Sequence, residues 1–330
     1  MVAQQTHRPF VGTVIGDPSG IGPEVVAKAW RSGHVHTHSR PVLIGSVAAM
    51  EHAVRIAGLN ATVRRVEDVK DLSDRPDVIE VIDSGALRPE EIVLGSDNQA
   101  SGRASGIWLD EADRLARSGV LAATVMGPIS TGAMKMAGVL DKVVSVKPGE
   151  SYLFLVSGPL RICHVTDHMP LAQVCALLDE ALITKSLVTL NEKLRSWGIR
   201  EPRIGVAGLN PHAVGSEESK AIGPGVRAAA ARGVLVEGPI SPDSIFRHCI
   251  EGKYDAVLAM YHDQGHIAIK TWGFSGNSAV IIGPPYVHLS VAHGTAYDIV
   301  GRGIADHRMI LNAMRTAGSL AAGSGFAEEK

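Results

Sequence analysis

The sequence predicts an α/β protein with a mostly parallel sheet. Two observations carry this: short runs rich in β-branched residues recur along the chain, and amphipathic helical stretches lie between them. The runs are FVGTVI from Phe10, PVLIG from Pro41, DVIEVID from Asp77, AATVM from Ala122, RIGVAG from Arg203, DAVLAM from Asp255 and AVIIG from Ala279. Apolar strands of this kind are buried on both faces, as in parallel sheets with helices on either side. The intervening segment 182–197 has the pattern of an amphipathic helix. One region is less regular. Residues 134–149 lead into ESYLFLVSGPLRICHVT, where Ser157-Gly158-Pro159 joins two apolar runs and predicts an antiparallel strand–turn–strand. There is no internal repeat or long linker, and only the tail from Ala321 reads as loose.

Composition narrows the function classes. The chain has 330 residues, 45% hydrophobic and 20% charged, so it can bury a large core and is not disordered. Its 32 basic and 34 acidic residues are interspersed, which leaves no electrostatic footprint for nucleic acid or an anionic membrane. Cys163, Cys175 and Cys249 are scattered and form no C-x-x-C pair, which fits a reducing compartment. The N-terminal apolar stretch is closed by Asp17-Pro18 and reads as a first strand, not a signal peptide. No run approaches the ~20 apolar residues of a membrane span. A cytoplasmic enzyme is expected.

Three motifs carry chemistry. Residues 16–24, GDPSGIGPE, follow the first strand and open a helix; glycines permit close approach of backbone to a ligand, and a helix N-terminus favours anions. The spacing is neither a Rossmann fingerprint nor a P-loop, so a plain tight turn is the competing reading. His168, His212 and His262 each sit in a polar turn after a predicted strand. Singly, each fits a core or surface histidine better than a ligand. Together, three loops at strand carboxyl ends suit a catalytic divalent metal equally well. Finally, residues 293–303, HGTAYDIVGRG, form a small-residue loop expected to run into a helix.

At these residues the chain resembles the 4-hydroxythreonine-4-phosphate dehydrogenase family, relatives of isocitrate and isopropylmalate dehydrogenases. The resemblance rests on GDPSGIGPEV, MGPIS, GLNPHA, AMYHDQG and HGTAYDIVGRGIAD, in that order along nearly the whole chain. It implies a two-lobed fold of α/β/α layers around a central cleft, with residues 1–128 and 268–330 forming an NAD-binding lobe and 129–267 a central substrate, metal and dimerisation lobe. It also implies a homodimer whose partner completes the metal site. By the resemblance His168, His212 and His262 become metal ligands, with zinc foremost and cobalt, manganese or magnesium as alternatives. Lys270 and Asp263 become catalytic residues, with Lys270 also binding substrate. Gly20, Gly22, Glu24, Asn210, His293, Gly294, Thr295 and Asp298 become NAD contacts.

Departures from the family pattern bear on the substrate. Gly149-Glu150-Ser151-Tyr152 stands where the phosphate-binding enzymes carry Gly-His-Thr-Glu, Ala279 replaces an Asn, and His288 replaces an Arg. Glu150, Ser151, Ala279 and His288 are therefore the expected substrate-binding positions, short of donors for a phosphate. The HDQGHI-x-IK string and Ser278-Ala279 resemble the terephthalate cis-dihydrodiol dehydrogenase branch. This branch predicts NAD-dependent, decarboxylating oxidation of a small cyclic hydroxy-carboxylate. The alternative is 4-hydroxythreonine-4-phosphate dehydrogenase itself. A non-catalytic nucleotide-binding regulator ranks below both, because the histidine trio and Lys270 are intact.

Overall fold

The computed structural model describes residues 8–273 and 277–327. In chain order the elements are β1 (Phe10–Val14), α1 (Gly22–Arg31), β2 (Arg40–Ile44), α2 (Val47–Ile56), β3 (Thr62–Val66), β4 (Val78–Ile82), α3 (Gln99–Arg117), β5 (Ala123–Met126) and α4 (Thr131–Ala137). There follow β6 (Tyr152–Ser157), β7 (Leu160–His164), α5 (Leu171–Leu177), α6 (Glu180–Ser196), β8 (Arg203–Ala207), α7 (Gly223–Ala230), β9 (Leu235–Ile240) and α8 (Ile245–Ile250). The last are β10 (Ala256–Ala259), α9 (His262–Trp272), β11 (Ser278–Ile282), β12 (Val287–Val291) and α10 (Arg308–Ala321). All seven runs read as strands are strands. The expected helix at 182–197 is α6, whose N-terminal cap is Asp179, accepting from the Leu182 amide at 2.7 Å.

Contacts divide the chain into two units, Met1–Val144 with Pro285–Ala327, and Ser145–Pro284. The first contains a parallel sheet in the order β3-β4-β2-β1-β5-β12. Strand order reverses at β1, which pairs with β2 on one side and β5 on the other. Such a switch point leaves a crevice beyond the strand carboxyl ends, where open α/β sheets bind ligands. Val42, Leu43, Ile79 and Val125 fill the sheet interior, and Trp30 of α1 and Trp108 of α3 are fully buried in the same unit.

The second unit has the order β11-β6-β7-β10-β8-β9. Its β7, β10, β8 and β9 are parallel, whereas β6 runs antiparallel to both neighbours. The expected strand–turn–strand is β6–β7, closed by Gly158-Pro159 with Gly158 at φ 55°. AVIIG, expected in a parallel setting, is β11 and pairs antiparallel with β6. The expected lobe boundaries at 128 and 268 move to 144 and 284. Two contacts account for the shift: α4 lies so close to α3 that Gly102 has no room for a side chain beside the Ala133 carbonyl, and β11 is bonded to β6.

The apolar signal is weakest at β3 and β9, both at sheet edges, where β3 is largely exposed and β9 alternates between exposed and half-buried residues. Of the tail read as loose, Ala321 ends α10 and residues 328–330 lie outside the described residues. No helix among the described residues is long and apolar enough to cross a membrane.

Candidate active site

The first candidate surface lies at the β1/β5 switch point of the first unit. Gly16 leaves β1 at φ 80°, and a side chain there would sit 2.9 Å from the Pro128 nitrogen. The Asp17 amide donates to the Pro128 carbonyl at 2.8 Å, so the turns after β1 and β5 are joined. The 293–303 loop packs directly on the 16–24 turn. The Ile21 amide donates to the Thr295 carbonyl at 3.0 Å, and any Cβ at Gly20 would meet Thr295 at 2.7 and 2.8 Å. Two distant segments, both read as cofactor contacts, thus form one surface.

Polar groups brace this surface from beneath. The Tyr297 hydroxyl bridges Asp17 Oδ2 at 2.7 Å and Asp97 Oδ1 at 2.8 Å. A single phenolic proton is thus shared between two carboxylates. Burial pushes the Asp17 carboxyl up, against the pull of the Ser19 amide and the Tyr297 hydroxyl. Donation from Ser130 and Tyr297 holds the Asp97 carboxyl below its usual range. Glu24, read as a cofactor contact, uses one of its oxygens as a structural tie. Its Oε1 accepts from Lys28 at 2.7 Å and from the Ala305 amide at 2.9 Å, while the Lys28 ammonium also donates to the Gly303 and Ala305 carbonyls.

The second surface lies in the other unit, at the carboxyl ends of the adjacent strands β7, β10 and β8. Thr166 donates to the Met260 carbonyl at 2.9 Å, tying β7's exit to β10's. Gln264 accepts from the Met260 amide and donates to the Gly208 carbonyl, each at 2.7 Å, which ties β10's exit to β8's. His168 and His262 follow β7 and β10 and come together, with ring centroids 4.8 Å apart. His168 Nδ1 donates to Asp167 Oδ2 at 3.0 Å, and His262 Nδ1 to Asp263 Oδ1 at 2.7 Å. Each aspartate fixes the tautomer that leaves Nε2 free for a metal.

Among the described residues, Asp167, His168 and His262 bring one ligand atom each within 4.8 Å of one another. The donor set fits a divalent ion for a reason internal to the structure: Asp167 Oδ1 is buried and has no hydrogen-bond partner. His266, one turn along α9, stacks on the His262 ring at 3.6 Å, and its Nδ1 donates to the His262 carbonyl at 3.1 Å. Burial and the neighbouring His262 lower its pKa to about 4, so it is neutral near pH 7. Beneath it His164 is fully buried, and burial lowers it to about 3.

The remaining expected residues fall elsewhere. His212 lies outside the cluster, exposed and at φ 56° in the turn after β8. Buried Glu218 shapes that turn by accepting from the Leu209 and Asn210 amides at 2.7 and 2.8 Å. Asn210, read as a cofactor contact, uses its carboxamide on Glu217 and Glu218. Asp263 holds His262 rather than standing free as an acid or base. Lys270 is exposed two turns beyond His262, on the helix face shared with His266. Gly22 begins α1 with no space for a side chain, while His293 folds back on the Gly294 carbonyl. Gly294 and Asp298 are exposed.

Four positions used to argue the substrate have the following surroundings. His288 on β12 is buried, bonded to Thr124 at 2.7 Å, and neutral because burial lowers it to about 4. Ala279 is a buried β11 residue opposite Leu155. Ser151 braces its own turn, accepting from the Lys147 amide at 2.8 Å, whereas Glu150 is exposed. Sequence reasoning missed Asp167, His266 and Tyr297. The Asp-His and His-Asp dipeptides at 167–168 and 262–263, and the helical spacing of His262 and His266, were the available signals.

These features define an α/β protein with a glycine-lined switch-point surface in one unit and an imidazole–carboxylate cluster in the other. The chain belongs to the PdxA family: the family model described as "Pyridoxal phosphate biosynthetic protein PdxA" matches residues 37–317. It is 59% identical over 324 residues to "Putative 4-hydroxythreonine-4-phosphate dehydrogenase" of Novosphingobium aromaticivorans, covering 98% of both chains. It is 35% identical over 328 residues to D-threonate 4-phosphate dehydrogenase of Cupriavidus necator, covering 96% of this chain and 98% of the relative.

Among solved structures, 4-hydroxythreonine-4-phosphate dehydrogenase of Klebsiella pneumoniae matches with a TM-score of 0.84 at 31% identity, covering 95% of this chain and 99% of that one. Terephthalate 1,2-cis-dihydrodiol dehydrogenase of Burkholderia xenovorans matches less well, with a TM-score of 0.68 at 30% identity over 94% and 98% of the two chains. The expectation of a decarboxylating dihydrodiol enzyme is therefore overturned. Its physical basis fails too, since His288 and Ala279 are buried strand residues whose identity does not measure a phosphate's supply of donors.

Proposed function

We propose that this chain is an NAD-dependent, divalent-metal-dependent dehydrogenase of a four-carbon hydroxy acid bearing a 4-phosphate, the class of 4-hydroxythreonine 4-phosphate and D-threonate 4-phosphate. The observation that carries this reading is the Asp167–His168–His262 group, in a chain similar along nearly its whole length to two proteins named for 4-phosphate substrates. When bound, the two groups supply what side chains cannot: a hydride acceptor, and a Lewis acid that eases loss of the hydroxyl proton. Asp263 and Asp167 keep the two imidazoles in the ligating tautomer. Lys270 offers an ammonium to a substrate anion or a proton to the reacting oxygen. The surface formed by residues 16–24 and 293–298 receives the dinucleotide, with Gly20 and Thr295 at its centre.

The reading includes a homodimer. Leu171, Val214 and Ile267 are 52%, 76% and 66% exposed, and they lie close in sequence to His168, His212 and His262. Exposed apolar side chains of this kind favour burial by a partner. His212 stands outside the one-chain cluster, and a second copy covering these side chains would bring further histidines to it.

The test follows reduced cofactor with each phosphorylated acid, before and after chelation of divalent metal. Turnover that stops on chelation and returns with zinc, cobalt or manganese supports the reading. Full turnover in metal-free protein contradicts the metal, and reduction of NAD with neither acid contradicts the substrate class.

A further inference from the structure

We propose that Asp167 is itself a metal ligand, so that within one chain the centre is a two-histidine, one-carboxylate site. This assignment rests on the metal reading above and extends it to a residue outside the expected histidine trio.

The geometry separates the two oxygens of Asp167. Oδ2 is occupied, accepting from His168 Nδ1 at 3.0 Å. Oδ1 is buried and unpartnered, although the side chain as a whole is only 12% exposed. A carboxylate oxygen removed from water without a donor is costly. The histidines grouped with it are His168 and His262, whose Nδ1 atoms are already committed to Asp167 Oδ2 and Asp263 Oδ1. A cation is what would satisfy the buried oxygen together with one ring nitrogen from each histidine. Ligand atoms within 4.8 Å of one another lie near the span that one ion with bonds of about 2.0–2.2 Å can close.

The chemistry of the set follows. Two neutral imidazoles and one carboxylate leave coordination positions open, and a substrate can fill these with a hydroxyl and a carboxylate oxygen. A hard oxygen ligand also broadens the site towards manganese and magnesium, where a purely imidazole site favours zinc.

The test uses the full-length chain stripped with chelator and titrated with Co²⁺ and Zn²⁺ alone. Asp167→Asn retains the size of the side chain and an acceptor for His168, but removes the ligand charge. Loss of about 100-fold or more in Co²⁺ affinity, with altered visible d–d absorption, is the expected result. Asp167→Glu, which returns a carboxylate on a longer arm, recovers at least about tenfold over Asn, so that a folding defect is told apart from a lost ligand. Affinity within about threefold of the unmodified chain and unchanged Co²⁺ bands in Asp167→Asn overturn the assignment while leaving the metal site standing. An unmodified chain that binds neither ion removes the metal reading, and the ligand with it.

Discussion

Replacing Gly265 with Ala sets two opposing effects against each other. In the interior of a helix such as α9, Ala is ordinarily better than Gly by up to about 1 kcal/mol. Here the added methyl would fall inside the envelope of His164 Nε2, 2.9 Å from His164 Cδ2 and 2.8 Å from Ile162 Cγ2. Neither neighbour can retreat cheaply. His164 is fully buried with Nδ1 donating to the Leu153 carbonyl at 3.1 Å, and Ile162 is a buried residue of β7. Overpacking of this sort costs about 1–3 kcal/mol, and with two fixed contacts the upper part of that range applies. The net expectation is destabilisation by about 1–2 kcal/mol, seen as a urea midpoint lowered by roughly 0.5 M at constant slope. Because α9 carries His262, its outward shift should also weaken Zn²⁺ binding by about tenfold or more, read by titration calorimetry. A Gly265→Ala protein more stable than the parent, with unchanged zinc affinity, would refute the reasoning.

Other consequences can be checked separately. His288 is held near a pKa of about 4 by burial, against 6.5 when exposed, so the unfolded chain binds its proton first. Its contribution is fully present above about pH 6.5 and is lost as pH falls through 4, a change of about 3 kcal/mol. His288→Gln should flatten denaturation midpoints across that window, and an equally steep acid loss in the variant would contradict this. Tyr297→Phe removes the bridge between Asp17 and Asp97, and should raise the KM for NAD several-fold while kcat changes little; unchanged NAD affinity would release that residue from the cofactor surface. Gln264→Ala unties β10's exit from Gly208 and leaves the Met260 amide without its acceptor, at an expected stability cost of about 1–3 kcal/mol measured by denaturation. Sedimentation should show a dimer, and a fully active monomer would remove that part of the proposal.

Legibility in the sequence followed burial. The strands β1, β2, β4, β5, β8, β10 and β11 are runs of apolar residues, and their positions could be read directly. The edge strand β3 carries Arg64 and Arg65, β9 carries Glu237 and Pro239, and β12 carries His288 and Ser290, so the apolar pattern is diluted in each. The pairing of residues 16–24 with 293–303 was visible only through the motifs, because no local pattern encodes a contact between such distant segments. His168 and His262 were legible as strand-end polar residues. Asp167 was not, since its importance lies in a buried oxygen that only packing reveals. The substrate error had a related cause. A residue's place in an aligned strand does not say which face of the strand it occupies, and His288 faces Thr124 inside the protein.

The measurement that tests the central claim most directly is kcat/KM for D-threonate 4-phosphate and 4-hydroxythreonine 4-phosphate against the same acids without phosphate, with NAD and a saturating divalent metal. One or two charge-assisted hydrogen bonds to a phosphate, at about 1.5–3 kcal/mol each, predict a preference of at least about tenfold and up to about ten-thousandfold for a phosphorylated acid. Equal turnover of the phosphorylated and plain acids, or activity confined to the plain ones, would contradict the account.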